Sequence, residues 1–162
     1  MISHPKIEDA WSALREVKDP EIPVLSLVDL RIVRDVRVED SGVTVRMVPT
    51  FAGCPALDLM KREVEQKLLE MGFDAVVVEI DRSGAWSTDE LAADVRNKMK
   101  SFGITAPPQR RDSLAATLSL PVECPHCGSM ETQLEGYFGS TLCKQLFFCG
   151  GCRQSFERFK PL

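Results

Sequence analysis

Apolar residues recur at helical spacing near the start of the chain, where Ile7, Ala10, Trp11, Leu14 and Val17 share one face of a helix predicted over 6–17. Asp19-Pro20-Glu21-Ile22-Pro23 breaks that helix, because proline lacks an amide donor and disfavours helix at the residue before it. Two strand-like runs follow, Leu30 to Val38 and Val43 to Val48, and Glu39-Asp40-Ser41-Gly42 between them predicts an antiparallel hairpin. Val43, Val45 and Met47 alternate with Thr44 and Arg46, the pattern of a half-buried strand. After Thr50-Phe51-Ala52-Gly53-Cys54-Pro55, helical spacing resumes with Leu57, Met60, Val64 and Leu68, and Gly72 is placed to stop it. Ala75 to Ile80 reads as a third strand, reached by a helical crossover. Ser87-Thr88-Asp89-Glu90 matches a capping box, ahead of a last helix carrying Leu91, Val95, Met99 and Phe102 and ended by Gly103. The predicted class is α/β: a small mixed-sheet domain in the order α-β-β-α-β-α.

Beyond Gly103 the periodicity fades, and Ala106-Pro-Pro-Gln-Arg-Arg-Asp-Ser113 has linker composition. The expected organisation is therefore an α/β domain over 1–104, a linker over 105–121 and a second domain over 122–162.

Five of the six cysteines lie in that second domain. Cys124 and Cys127, separated by two residues, stand about twenty residues from Cys149 and Cys152, which repeat the spacing. Two cysteines so spaced turn both sulfurs toward one ion, and four thiolates satisfy the tetrahedral preference of zinc. Pro125 and Gly128 in the first knuckle, and Gly150-Gly151 in the second, suit tight turns and a close backbone approach to sulfur. Thr132 to Phe138 and Lys144 to Phe148 have strand character, so a C-terminal β zinc ribbon is predicted, with the metal supplying stability that so short a segment cannot draw from a core. Four thiolates also accept iron or a cluster, and a pair of redox dithiols is the alternative to a metal site. His126 inside the first knuckle reads as a bystander, because four cysteines complete the shell. Cys143 reads as a small buried hydrophobe or as an accessory thiol.

Cys54 falls where the second strand ends, and Pro55 as a first helical residue would make Cys54 the helix cap. A thiol there would feel the positive end of the helix dipole, which favours the thiolate and raises its reactivity as ligand or nucleophile. The alternative is a half-buried structural cysteine. Asp19 and Glu21 flank Pro20 as an acidic turn, and Asp58 lies in the first turn of the following helix. With only His4 and His126 in the chain there is no Ser/His/Asp set, and there is no phosphate loop, which argues against a free-standing enzyme.

The chain has 162 residues, 44% hydrophobic and 27% charged, without an apolar run long enough for a bilayer or a visible secretory signal. A cytoplasmic protein without a membrane partner is expected. A net charge of −4 disfavours a phosphate-tracking surface, and Lys144, Arg153, Arg158 and Lys160 are offset by Glu123, Glu131, Glu135 and Glu157, so no nucleic-acid partner is predicted.

Asp19-Pro-Glu-Ile-Pro-Val-Leu-Ser-Leu-Val-Asp-Leu30, Pro49-Thr-Phe-Ala-Gly-Cys-Pro-Ala56, Ala85-Trp-Ser-Thr-Asp89, Phe102-Gly-Ile-Thr-Ala-Pro-Pro108, Cys124-Pro-His-Cys-Gly128, Phe138-Gly-Ser-Thr-Leu-Cys-Lys144 and Phe159-Lys-Pro-Leu162 together resemble the PaaD family. These are D subunits of the phenylacetyl-CoA monooxygenase (epoxidase) system, and the first domain alone resembles iron–sulfur assembly domains. The resemblance implies an accessory protein of aerobic phenylacetate breakdown that assists assembly or repair of an iron–sulfur or di-iron centre in a reductase or oxygenase partner. It implies that Cys54 is the functional thiol, transiently holding iron or a cluster, that Asp19 and Glu21 form the family's acidic turn, and that Cys143 has a role. A homodimer pairing two Cys54 thiolates would supply a second ligand. The alternative is a non-catalytic docking subunit that uses the ribbon as its interaction module.

Overall fold

The structure, a computed structural model, describes residues 5–109 and 120–161. Two compact units divide the chain between Trp86 and Ser87. The boundary expected over 105–121 lies further along, and residues 110–119 of that segment fall outside the described residues.

In the first unit, helix α1 (Ile7–Leu14) buries Ala10, Ala13 and Leu14. It is shorter than the predicted helix, but two further turns, closed by Glu16 N on Ala13 O and Val17 N on Leu14 O, carry Val17 into the core as well. Strands β1 (Val33–Glu39) and β2 (Gly42–Met47) form the expected antiparallel hairpin, with Val36 opposite Val45 and Val38 opposite Val43. The two-residue turn is completed by Asp40 in the left-handed region at φ 52°, which aspartate tolerates better than most residues. Helix α2 (Leu57–Met71) buries Leu57, Met60, Val64 and Leu68 and ends at Gly72, whose φ of 104° is open to glycine at no steric cost. It packs on α1 and on β3 (Ala75–Ile80), which returns parallel to β2 with Met47 beside Ile80. The sheet order is β1-β2-β3. Val36, Val43, Val45, Met47 and Val78 are buried, each full burial being worth about 1.5–3 kcal/mol.

The second unit opens differently from the predicted capping box. Ser87 Oγ accepts from the Asp89 amide, 3.2 Å away, and so closes a 3-10 turn over Thr88–Glu90. Leu91 is then extended, and helix α3 (Ala93–Ser101) starts afresh. Arg96 holds this break by donating to the carbonyls of Leu91, Thr88 and Pro107. Gly103, at φ 89°, ends the helix as expected.

Strand β4 (Ile104–Thr105) follows at once and pairs parallel with β7 (Ser155–Phe159), which ties α3 to the ribbon rather than to the preceding α/β unit. Lys100 Nζ, 2.7 Å from Glu123 Oε1, reinforces that link. Strands β5 (Thr132–Gly136) and β6 (Lys144–Cys149) match the predicted pair, and the four-stranded order is β4-β7-β6-β5. The buried cluster is small: Val122, Cys124, Phe147, Cys149 and Phe156. Arg158 lies fully buried across the sheet, donating to Gln145 Oε1 at 3.1 and 2.6 Å with its guanidinium 4.7 Å from the Phe147 ring centre. Burial pulls the Arg158 pKa down to about 10. No helix among the described residues is long and apolar enough to cross a membrane.

Candidate metal centre

Cys124, Cys127, Cys149 and Cys152 converge, with all four sulfurs within 4.8 Å of one another. The Cys124–Cys152 and Cys127–Cys149 separations are 3.7 and 3.6 Å. Zinc–sulfur bonds of about 2.3 Å in a tetrahedron place sulfurs about 3.8 Å apart, so the donor set and its spacing fit zinc.

Two matching turns bring the sulfurs together. In the first, Cys124 N donates to Ser129 O and Gly128 N to Cys124 O, both at 2.9 Å. In the second, Cys149 N donates to Gln154 O and Arg153 N to Cys149 O, again at 2.9 Å. The residue four beyond the first cysteine has positive φ in both knuckles, Gly128 at 76° and Arg153 at 59°. Only the first advertises itself as glycine. The backbones also approach closely. A Cβ on Gly151 would stand 2.9 Å from Ser129 Cβ and 3.6 Å from Cys149 Sγ.

The four sulfurs perturb one another's ionisation in opposite directions. The Cys152 amide points at Cys149 sulfur and, with neighbouring thiols, brings the Cys149 pKa down to about 7. Burial pushes Cys152 up to about 12. Four thiols this close resist ionising together, and a bound dication reverses that balance. When bound, zinc would cross-link the two knuckles through Cys124 and Cys127 on one side and Cys149 and Cys152 on the other. Two of these ligands, Cys124 and Cys149, belong to the buried cluster itself.

His126 is exposed, edge-on to Phe156, and is not among the converging donors. Cys143 is half-buried, with Thr141 Oγ1 3.2 Å from its sulfur. It precedes β6, whose far end carries Cys149, so about 20 Å of strand separates the two and Cys143 cannot share this ion. Its neighbour Lys144 is buried and paired with Glu157 at 2.9 Å, a contact the sequence did not announce.

In the α/β unit, Cys54 is half-buried but is not the helix cap. The cap of α2 is Ala56, which offers no side-chain acceptor. Pro55 instead sits inside a turn closed by Leu57 N on Cys54 O at 3.3 Å, which moves Cys54 two residues outside the helix and weakens the dipole argument. A preceding turn, Cys54 N on Phe51 O at 3.0 Å, completes an irregular double turn. Arg82 Nη1 donates to Ala52 O, 3.1 Å away, from the loop after β3. Asp19 is buried, and its Oδ1 accepts from the Glu21 and Ile22 amides at 2.8 Å, so it shapes the acidic turn itself. Glu21 is exposed. The cleft of about 430 Å³ that Asp19 lines includes Glu63, Gln66, Lys67 and Glu70 of α2 but no residue of the Cys54 turn.

The family model described as iron–sulfur cluster assembly protein matches residues 7–80, and that described as PaaD zinc beta ribbon domain matches 108–160. The D subunit of the "putative 1,2-phenylacetyl-CoA epoxidase" of Escherichia coli is 37% identical over 98% of this chain and 95% of its own length. A Porphyromonas gingivalis "Fe-S protein maturation auxiliary factor" is 35% identical over 54% of this chain and 84% of its own. Among solved structures, a conserved hypothetical protein from Thermotoga maritima aligns over 61% of this chain and 98% of its own with TM-score 0.54 and 28% identity. A Bacillus anthracis domain of unknown function, at 21% identity and TM-score 0.52 over 57% of this chain and 89% of its own, shares the fold.

Proposed function

Because the chain belongs to the PaaD family of phenylacetyl-CoA epoxidase D subunits, we propose that it is an accessory subunit of a phenylacetyl-CoA monooxygenase that assists assembly or repair of a metal centre in a partner. The observation that carries this reading is the place of Cys54. The carboxyl ends of the parallel strands β2 and β3 lie side by side, Met47 next to Ile80, and Cys54 stands in the loop leaving β2. Loops at the carboxyl ends of adjacent parallel strands are where α/β sheets build their sites. In this reading Cys54 ligates iron or a nascent cluster transiently, as cargo, and a half-buried thiolate outside the helix can both bind and release it. Asp19 keeps the acidic turn in shape and leaves Glu21 at the surface. One cysteine cannot hold a cluster alone, so the remaining ligands come from a client, either the reductase's iron–sulfur site or the oxygenase's di-iron site, or from a second copy. The zinc ribbon is the structural partner of this activity.

Metal analysis of anaerobically purified wild type and Cys54→Ser tests the reading. Zinc near one per chain in both, with iron lost only in the variant, supports it. Zinc alone in both overturns the Cys54 role. That second result would favour a docking role, for which Tyr137 (59% exposed) and Phe138 (63%) at the β5–β6 tip speak, since exposed aromatics are typical anchors of protein interfaces.

A further inference from the structure

We infer that Arg82 is a positioning residue for Cys54: it fixes the turn that carries the thiol and brings a positive charge to that turn. This rests on the reading of Cys54 as the functional thiol.

The inference starts from topology. Because β2 and β3 run parallel and in register, the segments leaving them, 48–56 and 81–86, emerge from the same end of the sheet. The second segment is tightly organised. Asp81 Oδ1 accepts from Ser83 N, Ser83 Oγ and Gly84 N at 2.7–3.0 Å, and Asp81 Oδ2 accepts from Arg46 at 3.0 Å. Gly84 is needed for this path, because a Cβ there would meet Val48 Cγ2 at 2.8 Å. The turn so held presents Arg82, whose Nη1 donates to the Ala52 carbonyl.

That carbonyl belongs to the strand-to-helix turn itself. The Phe51 ring lies over Gly53, where a Cβ would stand 3.2 Å from Cε1, and the Phe51 carbonyl accepts the Cys54 amide. Ala52 O is thus an exposed carbonyl of the turn that carries Cys54. A guanidinium there fixes the turn from outside and brings a cation to a carbonyl two residues before Cys54 in the chain. An adjacent cation favours thiolate over thiol. Since Cys54 lies outside α2, Arg82 takes over the role that a helix terminus would have played.

The test is the rate of Cys54 alkylation by iodoacetamide as a function of pH, in the full-length zinc-loaded protein, read at the Cys54 peptide by mass spectrometry. Wild type, Arg82→Gln and Arg82→Lys are compared, with zinc content and thermal unfolding as controls of fold. Arg82→Gln should move the midpoint of the profile to higher pH and slow alkylation below the midpoint about threefold to tenfold. Arg82→Lys, which keeps the charge, should recover most of that loss. An unchanged profile in Arg82→Gln, or an equal displacement in both variants, overturns the inference. Iron content of Cys54→Ser is a separate measurement, so a thiol tuned by Arg82 that binds no iron would defeat the assembly reading and leave this one standing.

Discussion

Gly151 separates the two zinc knuckles by less than a methyl group. A Cβ placed on it would lie 2.9 Å from Ser129 Cβ and 3.0 Å from Ser129 Oγ, closer than such atoms come without something shifting. Both contacts belong to the opposite knuckle, which Cys124 and Cys127 anchor, so the shift must pull the two sulfur pairs apart. Gly151→Ala is therefore an overpacking change, costing about 1–3 kcal/mol. Folding of the ribbon and metal binding are linked, so the cost should appear as zinc affinity weakened about fivefold to 150-fold. Gly150→Ala is the internal control. Its Cβ would meet Glu131 O at 3.4 Å, an ordinary contact, and neither glycine has a positive φ. There the loss of glycine's unfolded-state freedom should leave the protein unchanged or more stable by about 0.5 kcal/mol. Competition with a chromophoric zinc chelator measures both. Adding Ser129→Gly removes the clashing atoms. Although it forfeits the hydroxyl that accepts the Glu131 amide, the double variant should bind zinc more tightly than the two single effects predict. Equal affinities for the two alanine variants, or strict additivity between positions 151 and 129, would refute the account of how the knuckles meet.

Two further outcomes follow from the ribbon. Glu157→Gln leaves the buried Lys144 ammonium without its carboxylate, and urea unfolding with zinc in excess should show a loss of about 3 kcal/mol; a loss within about 0.5 kcal/mol would mean that the pair carries no stability. Zinc binding requires thiolates, whose pKa in the bound state lies below the unfolded value, so the stabilisation is present above that value and is lost as pH falls. At constant chelator, bound zinc should decline between about pH 8 and about pH 5, and an affinity independent of pH over that range would exclude four-thiolate ligation.

Much of the protein was legible where one short segment settles the matter. The α2 positions Leu57, Met60, Val64 and Leu68 and the bounds of β3 follow from periodicity, and Gly72 stops its helix as expected. The convergence of Cys124, Cys127, Cys149 and Cys152 could be read because two-residue spacing within each knuckle already turns both sulfurs one way. Elsewhere the local signal had competitors of similar strength. Pro55 suited the first helical position, yet a turn at Cys54–Leu57 absorbed it and moved the cap to Ala56. Ser87 and Glu90 had capping-box spacing, yet Ser87 bonded the Asp89 amide and Arg96 held the chain extended at Leu91.

What only the tertiary structure decided is which distant segments meet. Strand β4 adds to β7, taking α3 into the ribbon unit. Arg153 adopts a left-handed backbone because its knuckle must match one where Gly128 stands. Cys143 lies just before a strand whose far end is Cys149, and Arg82 reaches a carbonyl thirty residues away in the chain. Periodicity and spacing record the energetics of a few neighbouring residues, whereas these contacts depend on the closure of long loops and the pairing of whole strands. No single window of sequence contains those terms.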